Sequence, residues 1–425
     1  MKTSGGLGIA SVWGIALFAP CALAQTRTAT FSTLYSFQSE SSLDGAQPYA
    51  GLVAGADATL YGVTAFGGTA GAGTVFELKP QPAGGAWQER VIYGFLGGGR
   101  DGANPYGTLV FGSNGDLYGT TAAGGTANAG TVFKLRPSAH PNEGVWKESI
   151  LHDFGAIGDG TNPMAGLIFG ASGQLYGTTY YGGALDCFGA GCGTVFELSP
   201  PGAAGEGWKE TTLYAFVGGN DSGAYPAAGV VAGPGGVLYG ATVSAGLYNQ
   251  GTVFELKPPG SASGQWTQTI LHSFRGVSAD GGQPHGGLTV DGNGTIYGTT
   301  YSGSGGTYDG TAFQMQPPGW GESLYFFKGA NGANPYGGLV IGANGALFGT
   351  TYSGGTSGMG TVIELIPPTT PGGAWTETVL HSFTGADGDG AEPYAGLVLG
   401  ANGVLYGTTV GGGSKGWGTV FALTP

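Results

Sequence analysis

The sequence predicts a seven-bladed β-propeller of four-stranded blades, the last blade being closed by a strand from the N-terminal end. Three observations predict it: a unit that recurs seven times, four strand-like segments within each unit, and chain ends that complement each other. The centre of the unit is Leu-Tyr-Gly or a close variant, at Leu60-Tyr61-Gly62, Leu117-Tyr118-Gly119, Leu175-Tyr176-Gly177, Leu238-Tyr239-Gly240, Ile296-Tyr297-Gly298, Leu347-Phe348-Gly349 and Leu405-Tyr406-Gly407. Successive aromatic positions lie 57, 58, 63, 58, 51 and 58 residues apart. A proline opens every unit four residues before an aliphatic residue, as in Pro48 with Leu52 and Pro393 with Leu397, and that aliphatic residue precedes the aromatic by nine. Spacing this constant means that strand lengths and turn geometry are shared, with slack confined to a few loops.

Each element follows from its composition. The first strand is the G-L-V segment (Gly51-Leu52-Val53, Gly338-Leu339-Val340), and the second is L-Y-G-T-T. Between them stands Asn-Gly in four units, Asn114-Gly115, Asn293-Gly294, Asn344-Gly345 and Asn402-Gly403, a pair suited to the positive φ angles of a two-residue hairpin. A glycine-rich loop leads to the third strand, G-T-V-F-E-L, which begins 12 residues after the aromatic in five units, 13 at Gly310 and 17 at Gly193. A tryptophan (Trp87, Trp146, Trp208, Trp266, Trp320, Trp375) announces the fourth strand, which ends in L-Y/H-x-F. Residues 28–37 contain only a fourth strand, whereas the last unit stops after a third, Gly418 to Leu423. Pairing the two closes the ring and leaves no exposed edge. An open β-solenoid is the rival architecture, but its coils are shorter and need no spare strand at one end.

Composition bounds compartment and partners. The 425 residues include 93 glycines, yet there is no triplet period and hydrophobic residues reach 41 %, a globular composition rich in turns. Residues 1–24 read as a secretory signal, with Lys2, an apolar run from Val12 to Phe18 and Ala22-Leu23-Ala24 before Gln25. This predicts an exported protein, periplasmic or extracellular, with residues 25–425 as one domain. Cys21 raises the alternative of a lipid anchor, and Pro20 before it argues against one. No other stretch has the roughly 18 continuous apolar residues of a membrane span. Without residues 1–24 the chain carries 12 Lys and Arg against 26 Asp and Glu, a net charge of about −14, which disfavours nucleic acid and anionic membranes as partners. Cys187 and Cys192 share the lengthened loop of the third unit, and in an oxidising compartment they are read as a disulfide.

The unit, seen for instance in Gly396-Leu397-Val398, Leu405-Tyr406-Gly407-Thr408-Thr409 and Gly418-Thr419-Val420-Phe421, resembles the GloVer tandem-repeat proteins over almost the whole chain beyond the leader. That resemblance implies an exported bacterial protein of a family often carrying a C-terminal surface-sorting signal, and it supplies no activity. The sequence departs from the anchored pattern by ending at Pro425 directly after a strand, so a periplasmic or released protein is expected.

Chemistry must therefore be sought in the loops. In a four-stranded meander, the second-to-third and fourth-to-first loops emerge on one face. The latter read D-G-A-N-P or close to it and include Asp101, Asn104, Asp159 and Asn162; the former carry aromatics among glycines, Phe66, Tyr180, Tyr181, Tyr248, Tyr301, Tyr308, Tyr352 and Trp417, with Asp309 beside Tyr308. Aromatic rings beside acidic and amide groups suit a sugar, the rings supplying apolar area and the polar groups orientation. The bland alternative is that Asp-Gly and Asn-Gly only form turns and the tyrosines pack between blades. Asp387, Asp389 and Glu392 place three carboxylates within six residues and make calcium a candidate cofactor, though the EF-hand spacing is not met. His152, His272 and His381 occupy a fourth-strand position that is Tyr35, Tyr93 and Tyr214 elsewhere, which marks a structural slot.

The sequence has no nucleophile elbow, no His-Glu-x-x-His and no phosphate-binding glycine loop. A glycosidase would need two carboxylates about 5 to 10 Å apart, and Asp186 with Asp309 is one pair a ring could bring together. The expectation is a noncatalytic monomer that binds a polysaccharide or cell-surface protein through its loop face. A polysaccharide hydrolase or lyase and a purely structural envelope protein are the alternatives.

Overall fold

Alternating strands rich in Val, Leu, Phe, Tyr and Thr, cut by Gly and Asn turns, assemble into seven four-stranded antiparallel sheets. The computed structural model describes residue 1 and residues 29–39, 43–138, 146–183, 187–203, 205–261, 264–276, 279–303, 308–369 and 373–425. The predicted leader beyond Met1, like Asp186, lies outside them. The first blade runs through Val53–Ala54, Leu60–Thr64, Thr74–Lys79 and Gln88–Gly94, and five more follow in the same order. The seventh combines Val398–Leu399, Leu405–Thr409 and Thr419–Thr424 with the N-terminal strand Thr30–Ser36, which pairs along Thr419–Thr424 from Thr30↔Thr424 to Ser36↔Thr419. The expected closure by the N-terminal strand is what the structure contains. Among the described residues no helix is long and apolar enough to cross a membrane.

The repeat motif is explained by contacts that recur blade after blade. The last Thr of L-Y-G-T-T meets the first Thr of the third strand, as in Thr64 with Thr74 and Thr409 with Thr419, both 2.8 Å apart and buried. Gly in L-Y-G makes room for the third-strand Phe: a Cβ on Gly177 would lie 2.5 Å from Phe196 Cζ. That Phe takes the edge of the Phe ending the preceding blade's fourth strand, as Phe133 does with Phe95. Phe76 packs in the same way against Phe37, so N-terminal chain and first blade are joined by the same contact. Such pairs contribute roughly 0.5–1.5 kcal/mol each beyond area burial. The tryptophans bind blades further out, as Trp208 does against Tyr118.

Near the axis, the other Thr of the motif donates to a carbonyl at the entry of the next blade. Thr120 reaches Ala165 O, Thr178 reaches Ala228 O, and Thr408 reaches Ala50 O across the closure. Six of the seven third-to-fourth strand pairings contain a β-bulge; the fifth blade, whose fourth strand Gly321–Phe326 is one residue shorter, has none.

Candidate functional site

Each fourth-to-first loop starts at the rim and runs inward over one face, where it pairs with the second-to-third loop of its own blade. The pairing is a short ladder in Gly102–Ala103 with Ala123–Gly124, Gly160–Thr161 with Tyr181–Gly182 and Gly390–Ala391 with Gly411–Gly412, and a single bridge in the other four blades. The two loop sets therefore share a face, as expected, but their polar residues serve the scaffold. Asp101 is buried; its carboxylate accepts from Tyr93 Oη at 3.1 Å, Leu96 N–H at 2.7 Å and Gly102 N–H at 2.7 Å. Asp159 does the same for Gly155 and Gly160 N–H, with its other contact to His152 Nε2 at 3.1 Å. Asn104 and Asn162 sit at φ 55° in the left-handed region, which Asn tolerates better than most residues. Their side-chain amides donate to the preceding blade, at Ala65 O and Ala122 O. Turn and seam roles thus hold these four residues, although Asn104 and Asn162 also form part of the cavity wall described next.

The residue before the proline is left-handed in all seven units (Gln47, Asn104, Asn162, Tyr225, Gln283, Asn334, Glu392), and the residue after it lands at the mouth of the central channel. That ring position reads Tyr49, Tyr106, Met164, Ala227, His285, Tyr336 and Tyr394. Together with the first strands it encloses a cavity of about 940 Å³. An aromatic arc lines one side: His285 lies 4.9 Å from Tyr336, which stacks on Tyr394 at 4.3 Å, and Tyr49 bridges Tyr394 and Tyr106 at 5.1 and 5.3 Å. Met164 and Ala227 leave the third and fourth blades lower, and there Tyr180 stacks on Tyr225 at 5.3 Å with Tyr181 against both.

The walls are neutral. Burial lowers the His285 imidazole to about 4 and raises Tyr394 to about 12, and burial likewise raises Tyr49, Tyr106 and Tyr180. Among the described residues, none that lines the cavity is Asp, Glu, Lys or Arg.

The remaining predicted residues divide. Tyr180 and Tyr181 line the cavity. Tyr301 touches Tyr336 and His285, and Tyr352 touches Tyr336 while its hydroxyl donates to Glu392 at 3.1 Å, so both support the arc from behind. Tyr308 is exposed apart from them, and Asp309 gives its backbone carbonyl to Asn334 N–H. Trp417 is half-buried against the cluster around Phe37 and Phe76. The three candidate calcium ligands are not gathered: Asp389 faces His381 and accepts from Thr384 and Gly390, Glu392 turns toward Tyr352, and Asp387 is exposed. Cys187 and Cys192 form the expected disulfide. Sequence reasoning missed the ring residues after the prolines, although their variation between otherwise constant flanks was a visible signal.

Fold and site together define a seven-bladed propeller whose aromatic cavity sits at the end of the central channel. The family model of the Gloeobacter/Verrucomicrobia repeat matches residues 22–189, 100–308 and 301–425, and the chain belongs to that family. Two solved structures are similar in fold, both with a TM-score of 0.51. One is a Bacteroides uniformis protein provisionally described as a 6-phosphogluconolactonase, 14 % identical, covering 82 % of this chain and 88 % of its own. The other, from Bacteroides fragilis and described in the same way, is 15 % identical, with 84 % and 87 % covered. No curated protein matches the sequence.

Proposed function

We propose that the protein is an exported, noncatalytic propeller that binds an uncharged carbohydrate in the aromatic cavity at the end of its channel. The observation carrying this reading is the wall itself: tyrosine faces and edges from five blades around a space of about 940 Å³, with no charged side chain among the described residues of the lining. Aromatic faces and a few hydroxyl and amide groups suit the apolar faces and hydroxyls of a sugar ring. A phosphorylated sugar, which the names of the two Bacteroides proteins imply for them, would bring negative charge to a wall whose described residues include no Lys or Arg, on a chain of net charge −13. Binding is preferred to cleavage because two carboxylates about 5 to 10 Å apart are what glycoside hydrolysis uses, and the wall offers tyrosines in their place. Export is supported by the signal-like residues 1–24 and by the disulfide.

The test is glycan-array binding by residues 25–425, with calcium and again with chelator. Neutral oligosaccharides should bind, and Tyr336→Ala and Tyr180→Ala should weaken binding while leaving the melting temperature within a few degrees. Binding confined to phosphorylated or acidic glycans, binding indifferent to both substitutions, or new reducing ends in the incubation would overturn it.

A further inference from the structure

The seven seams between blades repeat one polar cluster. A Tyr or His of one fourth strand faces the Asp, Asn or Ser of the following loop, and the second residue after the next tryptophan faces both from the neighbouring blade. In order, these third residues are Glu89, Glu148, Glu210, Gln268, Glu322 and Glu377. At the closing seam, Phe31 takes that place and stacks on His381 at 3.7 Å. Histidine meets two carboxylates at only two seams, and these differ. Between the second and third blades His152 contacts Asp159 at 3.1 Å, but Glu210 is held by Thr212 Oγ1 at 3.2 Å. Between the fourth and fifth blades His272 Nε2 lies 3.0 Å from Asp280 Oδ2 and 3.3 Å from Glu322 Oε2.

We propose that His272, Asp280 and Glu322 form a site for a divalent transition-metal ion such as zinc. One nitrogen and two carboxylate oxygens all lie within 4.8 Å of one another, and ligands about 2 Å from a common ion stand about 3 to 3.5 Å apart. Among the described residues this is the group of three such ligand atoms lying within 4.8 Å of one another, two of its pairs at 3.0 and 3.3 Å. An imidazole with carboxylates suits zinc and its neighbours better than calcium, which prefers oxygen alone. Three protein ligands leave a fourth position for water, and Glu322, whose side chain is 28 % exposed, gives an entry path. Glu322 pairs with Met315 as Glu210 pairs with Leu198, so the two residues share a register and differ in where the carboxylate turns. Asp280 is oriented by accepting Arg275 N–H, while the Arg275 guanidinium lies over the Tyr248 ring, 5.9 Å from its centroid. An ion would bind through an Nε2 that carries no proton, so binding weakens in acid.

The repeat itself supplies folded variants, since Tyr fills the His272 slot in other blades and Gln fills the Glu322 slot in the fourth. Zinc chloride titrated calorimetrically into the tag-free full chain at pH 7, with melting temperature read in parallel, tests the site. One equivalent should bind and raise the melting temperature, and His272→Tyr and Glu322→Gln should each weaken binding about tenfold or more. Glu210→Gln, at the seam where the third ligand turns away, should leave binding unchanged. No saturable binding, or binding indifferent to His272→Tyr, would overturn the proposal, and neither result bears on the carbohydrate site.

Discussion

Glu89 should make this propeller more stable in acid than in mild base. It sits at the seam between the seventh and first blades, facing Asp44, which already accepts from Tyr35 Oη at 2.7 Å. Glu89 Oε1 and Asp44 Oδ1 are buried without a hydrogen-bonding partner among the described residues. Burial first, then the charges of Asp44 and Glu77, raise the Glu89 carboxyl from its ordinary 4.5 to about 8. An acid whose folded value is raised contributes its full stability below the unfolded value and loses it as pH climbs through the folded one. The window is therefore about pH 4.5 to 8. A shift of that size corresponds to at most about 5 kcal/mol at 1.36 kcal/mol per unit; residual exposure of the carboxyl reduces this to about 2 to 3 kcal/mol. Gln is compatible with the position, since Gln268 fills it in the fourth blade, donating to Ser222 O and accepting from Tyr214 Oη. Urea unfolding of Glu89→Gln and the parent chain at pH 5 and pH 8 measures the effect. The substitution should be nearly neutral at pH 5 and stabilising at pH 8, flattening the dependence. Equal differences between the two proteins at both pH values would refute the reasoning.

Four further outcomes are expected. Gly177→Ala drives a Cβ to 2.5 Å from Phe196 and should cost about 1–3 kcal/mol, whereas Gly349→Ala, beside Ile363 where other blades have Phe, should cost less; urea midpoints compare them. Removing residues 25–38 takes away Thr30–Ser36 and Phe37 and exposes the edge of Thr419–Thr424, so the product should unfold or associate; a deletion variant that stays monomeric and equally stable in size-exclusion and melting experiments would contradict the closure. Asp101→Ala strands the part-buried donors of Tyr93 and Leu96 and the buried N–H of Gly102, and should cost about 2–3 kcal/mol without specific loss of ligand affinity, the reverse of what a ligand-contacting residue would show. Burial also raises Glu148 to about 7, so Glu148→Gln should remove a smaller share of the stability lost between about pH 4.5 and 7.

The blades were legible because each repeat position answers a local rule. Asn-Gly marks the hairpins, alternating β-branched and aromatic residues mark the strands, and the spare strand at one end matches the deficit at the other. The Asp-Gly-x-Asn loops were harder to read, since the same residues suit a turn or a ligand. Asp101 belongs to its turn because N–H groups of that loop take up its carboxylate, and Asn104 because its amide donates across the seam to the buried Ala65. Tyr180 and Tyr181 were found by their irregularity. Tyr49, Tyr336 and Tyr394 were passed over as part of the unit's opening, because nothing within about ten residues says that a post-proline side chain ends at the axis.

By itself, then, the sequence determined the number of blades, the order of strands and the way the ring closes, since periodicity and turn chemistry act over a few residues. Only the tertiary structure decided which side chains share a space, because that depends on closure of a ring whose facing residues are tens to hundreds of positions apart. Tyr394 meets Tyr49 across the seventh and first blades, and Glu322 reaches His272 where its counterpart Glu210 turns aside. The physical reason is that strand propensity is read along the chain, whereas the cavity and the seams are made by packing between chain segments that only the closed ring brings together.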